Sequence, residues 1–167
     1  MFQGIKSKLN DMGTIKLLCE RAEVYALRDQ QREPGAEHFL LAALDLPDGT
    51  ARLAFAQAGV GPDAVRAAIE RQYADALRTL GLKADVPADV PLSASCGIYQ
   101  AASSGRDIMQ ELAATRRDHS PLLGAHVVAI VAGLSHGVAA RALRAMGVDS
   151  VLLKSTADAI AEAGRAH

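Results

Sequence analysis

Residues 37–60 read EHFLLAALDLPDGTARLAFAQAGV, and this stretch decides the fold. Phe39 to Leu44 is an almost wholly apolar run, and a helix apolar on nearly every side belongs in the centre of a domain. Leu46-Pro47-Asp48-Gly49 is turn chemistry, and the short helix expected from Thr50 to about Ala58 ends at Gly59. The stretch is spoken twice. With a shift of 88 residues His38 falls on His126, Gly49 on Gly137, Ala51 on Ala139, Ala54 on Ala142, Gly59 on Gly147 and Val60 on Val148. Matched alanines mean little in so Ala-rich a chain. Two matched glycines and a following valine mean more, because glycine marks positions where the backbone must turn.

Working outward, Ile15, Leu18, Ala22 and Tyr25 recur at steps of three and four between Thr14 and about Gln31. The spacing predicts an amphipathic helix with Thr14 as its N-cap, ended by Pro34-Gly35. Downstream, Val65, Ile69, Tyr73 and Leu77 predict a fourth helix with Pro62 near its first turn. Residues 81–92 lack apolar periodicity and read as a linker. The divisions expected are a lead over 1–13, a first repeat over 14–80, the linker, and a second repeat over 93–167. Counting back from His126, the second copy reads as carrying an insertion of about eight residues, placed between Ser103 and Ser120, where Ser103-Ser104-Gly105 weakens the helix signal. The fold class is all-α: two tandem, pseudo-twofold four-helix repeats, about eight helices in all, sharing one compact domain.

Composition agrees. Of 167 residues, 33 are Ala, six are aromatic and none is Trp, which favours small-residue helix packing over strands. A net charge of -1 supplies no electrostatic footprint for nucleic acid or an anionic membrane. No apolar run approaches the ~20 residues of a membrane span, and Met1-Phe2-Gln3-Gly4 lacks the layout of a signal peptide. A cytoplasmic protein is expected.

The sequence offers little chemistry. There is no Gly-x-x-x-x-Gly-Lys-[Ser/Thr] loop, the nearest stretch being Gly4-Ile5-Lys6-Ser7, and no Gly-x-Ser-x-Gly or His-Glu-x-x-His. His38, His119, His126, His136 and His167 lack partners at ligand spacing, so no metal and no cofactor is expected. Cys19 and Cys96 read as buried thiols. His38 and His126 each open a central helix, where an imidazole bonds near the helix start. Glu37, in the first turn, suits the helix dipole; alternatively it presents its charge to a basic group on a partner. Its counterpart is Ala125. Arg66 with Glu70, and Arg71 with Asp75, read as surface pairs, and Arg106, Arg116 and Arg117 sit among acidic residues.

The run Glu37 to Leu44, then Gly49-Thr50-Ala51 and Ala58-Gly59-Val60, resembles the signature of the Clp amino-terminal repeat, the helical domain at the front of Clp-type unfoldases. Ala125 to Ile130, with Gly137-Val138-Ala139 and Gly147-Val148-Asp149, resembles it more weakly. The resemblance implies a tandem of four-helix repeats that docks Clp subunits, adaptors or substrate segments and performs no chemistry of its own. In some members the acidic residue at Glu37 receives a phosphorylated arginine; Ala36 and Ala125 depart from that pattern. The 167 residues read as such a docking module without the ATPase motor. The alternative is a small helical regulator binding a small molecule or DNA through the divergent second repeat.

Overall fold

The computed structural model describes residues 2–81, 101–115 and 121–164. Eight helices and no strands occur among them: α1 (Phe2–Arg28), α2 (Ala36–Leu44), α3 (Thr50–Gln57), α4 (Ala64–Thr79), α5 (Ser103–Thr115), α6 (Gly124–Ala132), α7 (Gly137–Ala145) and α8 (Ser150–Ala163). Apart from Gly81, the linker read at 81–92 lies outside the described residues. So do Cys96, Tyr99, Arg116, Arg117, Asp118, His119 and His167.

The central helices are α2 and α6, each buried along nearly its whole length, and they pack on one another. Around them the repeats interlock. Helix α4 leans on α7 of the other repeat, and α8 leans on α3 in return. One continuous core results, with Leu18, Phe39, Leu40, Phe55 and Ile69 from the first repeat against Ile108, Val127, Val128, Leu143 and Leu153 from the second. Neither repeat could keep this surface dry alone, since each supplies the other's missing wall.

The repeated glycines close α3 and α7 in the same way. Gly59 and Gly147 have φ of +73° and +72°, a conformation that side chains disfavour. Val60 N–H donates to Phe55 O and Gly59 N–H to Ala56 O. Val148 to Leu143 and Gly147 to Arg144 repeat the pattern, which is the Schellman ending.

Several expectations are corrected. Helix α1 begins at Phe2, so Thr14 lies inside it; the Thr14 hydroxyl donates to Asn10 O and caps nothing. No eight-residue insertion separates α5 from α6: the interval between their ends is one residue longer than that between α1 and α2. Ser103-Ser104-Gly105 opens a helix instead of weakening one. A Cβ on Gly105 would lie 2.3 Å from Pro34 O and 3.0 Å from the Phe39 ring, so the missing side chain is what lets α5 seat against the start of α2. Asp75 pairs with Arg78 at 2.9 Å, while Arg71 turns to its own helix backbone at Ala67 O. Cys19 is partly buried against the core, not fully.

Candidate functional site

Two places merit attention, and the first grows from the start of α2. His38 is fully buried. Its Nδ1 accepts the Gly35 N–H at 2.9 Å, while its own N–H donates to Gly35 O at 3.0 Å. This is a reciprocal cap: the imidazole accepts the N–H of Gly35, and Gly35 O accepts the His38 backbone N–H that a glycine has no side chain to receive. The second repeat repeats it: His126 Nδ1 accepts from Leu123 N–H at 3.1 Å. Both histidines thus act at helix starts.

The surroundings of His38 are polar. Its Nε2 lies 3.2 Å from Asp29 Oδ2, just beyond α1, and the ring lies nearly parallel to Tyr73 of α4. Glu37 is only 7 % exposed, and its Oε1 accepts from the Tyr73 hydroxyl at 2.5 Å. Burial, then the Glu37 bond and charge, push the Tyr73 phenol well above its ordinary range, so it stays a donor. Arg66 closes the cluster. It pairs with Glu70 at 2.9 Å, reaches Asp29 at 3.5 Å and lies over the Tyr25 ring, so it is more than a solvated surface charge. Tyr25 donates in turn to Asp45, which Arg21 also approaches. Glu37 is thus both buried and already engaged by the Tyr73 hydroxyl.

The second place is a groove of about 330 Å³ where the repeats meet. Leu17, Leu46, Leu122 and Leu123 give it an apolar floor, and Asn10, Thr14 and Asp48 give it polar edges. Asp48 and Thr50 fix its far wall. Asp48 Oδ2 accepts the Gly124 N–H at 3.1 Å and Thr50 Oγ1 accepts the Ala125 N–H at 2.9 Å, so a turn of the first repeat caps α6 of the second. On the other wall the buried Asp11 accepts the Leu122 N–H at 2.9 Å. Sequence reading missed Asp11, Asp48 and Thr50 as site-builders. Only the turn character of Asp48 pointed their way.

Among the described residues no group of His, Cys, Asp and Glu is arranged to hold a metal ion. None of the described helices is by itself long and apolar enough to cross a membrane.

Such a molecule, two interlocked four-helix repeats with a groove at their seam, belongs to the class of helical repeat modules. The sequence model of the Clp repeat (R) N-terminal domain matches residues 14–97. The chain belongs to that family, whose domains typically bind proteins. No curated protein matches it.

Proposed function

We propose that this chain is a non-enzymatic docking module that receives a peptide segment, from an adaptor or a substrate of a Clp-type unfoldase, in the groove between its repeats. The observation that carries the reading is the groove itself. Its leucine floor suits apolar side chains, and its polar edges suit a peptide backbone. Both walls are held by hydrogen bonds across the repeats, so the site is preformed and costs little ordering on binding. Glu37 enters the proposal as a charge for a basic partner group, one that the Tyr73 hydroxyl already engages. A cytoplasmic place of action accompanies this reading. DNA as ligand is the weaker reading: among the described residues of the second repeat, Lys154 is paired with Asp158, and Arg144 donates to Ser135 O.

The test is titration of the ¹⁵N-labelled chain with a purified Clp-type unfoldase ring, its adaptors and unfolded client peptides. Shifts concentrated at Leu17, Leu46 and Leu122, abolished by Leu46→Asp with the helical signal retained, are expected. Shifts confined to other faces would sink the groove assignment, and no binding to any of the three would sink the docking reading.

A further inference from the structure

His38 is held from both sides of its ring, and the two sides make different demands on its protons. Nε2 faces the Asp29 carboxylate at 3.2 Å, and an ionised carboxylate only accepts, so the contact assigns the hydrogen of the neutral ring to Nε2. Nδ1 is then the bare nitrogen, and it is the acceptor for the Gly35 N–H at 2.9 Å. The carboxylate of the preceding residue waits beside it, with Glu37 Oε1 3.7 Å from Nδ1. That same oxygen holds the Tyr73 hydroxyl.

We propose that His38 is a proton-operated latch, in which uptake of one proton at Nδ1 exchanges the Gly35 N–H for Glu37 Oε1 as the partner of the ring. A proton from solvent turns Nδ1 from acceptor to donor. Two N–H groups then face each other at Gly35, which forbids the cap, while Glu37 closes the remaining gap as a charge-assisted acceptor. Glu37 Oε1 then divides its charge between the ring and the Tyr73 hydroxyl, and the bond to Tyr73 weakens. The titratable groups facing the ring are Asp29 after α1, Glu37 on α2 itself, and the neutral phenol of Tyr73 on α4. Arg66 stands behind Asp29, and Arg141 of α7 is near enough to act on Tyr73.

The consequence reaches the second repeat. Gly35 sits between Pro34, whose carbonyl accepts the Ala102 N–H at 3.2 Å, and Ala36, whose N–H donates to Ser104 Oγ at 3.2 Å. Losing the cap therefore slackens the seam on which α5 is seated. This inference concerns the start of α2 and is independent of what occupies the groove.

The experiment is a pH titration of the full chain followed by imidazole ¹⁵N shifts and by amide exchange corrected for its intrinsic pH dependence. As His38 protonates, the Gly35 amide is expected to lose protection about tenfold, the scale of one hydrogen bond. The Tyr73 ¹³Cζ resonance moves over the same pH interval, and far-ultraviolet circular dichroism stays helical. In Glu37→Gln the same change moves to lower pH, because the waiting acceptor has lost its charge. Gly35 protection that holds while His38 titrates would overturn the latch. So would a Tyr73 resonance indifferent to it, or a ring that gains its proton only as the whole fold is lost.

Discussion

The two repeats share a frame and differ in what they bury at its centre. The 88-residue shift carries the Arg66–Glu70 pair onto Lys154–Asp158, each 2.9 Å long, and the His38 cap onto the His126 cap. It carries the Glu37–Tyr73 pair onto Ala125 and Ala161, both buried. Donor and acceptor are absent together. A buried carboxylate without its hydroxyl, or the reverse, would leave an orphaned polar group, whereas two alanines leave none. The pair therefore behaves as a unit, and the lesson is that the first repeat keeps a polar centre where the second has settled for a small apolar one.

The bluntest way to break the comparison is at the joint between repeats. Gly105→Ala places a methyl group 2.3 Å from Pro34 O, and a backbone carbonyl cannot step aside like a flexible side chain. We expect a loss of about 2–3 kcal/mol, by overpacking, despite alanine's better helix propensity. Urea unfolding measures it. Unchanged or increased stability would mean that α5 is not seated on α2 as described, and the second repeat would then be less dependent on the first.

The second prediction removes one partner of the polar centre. Glu37→Ala leaves the half-buried Tyr73 hydroxyl without its acceptor and should cost about 2 kcal/mol. Glu37→Ala with Tyr73→Phe should cost less than the sum of the single changes, the sign of a coupled pair. The pH dependence follows from Tyr73. Its phenol is raised above the ordinary 10.0 in the folded chain, mainly by burial and then by Glu37, so its contribution is intact below pH 10. Above that, the unfolded chain releases a proton that the folded chain retains, and stability falls as pH rises. Tyr73→Phe should flatten this alkaline decline, with Tyr25, also raised, leaving a residue of it. Additive single costs would show the two groups to be independent.

The same contrast explains what the sequence could disclose. Periodicity placed the helices of the first repeat, though not the start of α1, and the shift of 88 found the glycines and both capping histidines, because these are local demands: a turn, a left-handed residue, an acceptor three residues along. Glu37 stood out in the sequence by its place in the first turn of α2. Its partner was not legible, since Tyr73 lies 36 residues away and looked like one more apolar step on the fourth helix. Asn10-Asp11-Met12-Gly13 failed as a helix signal for a related reason. Asp11 and Gly13 are poor helix residues in isolation, yet α1 runs through them, with the Asp11 carboxylate holding the Leu122 N–H from across the molecule. Gly105 misled in the opposite sense, since a helix breaker by propensity is a packing requirement by contact.

The mildest prediction tests the shared frame itself. Gly59 and Gly147 adopt nearly the same positive φ, end equivalent helices with the same pair of hydrogen bonds, and have open space where a Cβ would stand. Packing is thus removed from the question, and the left-handed backbone alone sets the cost. Gly59→Ala and Gly147→Ala should each destabilise by about 1 kcal/mol, and by the same amount within error. Thermal or urea unfolding of the two variants side by side decides it. A large difference would show that the repeats, alike in backbone, differ in how firmly their neighbours hold it, because equal geometry costs equally only where the surroundings relax equally.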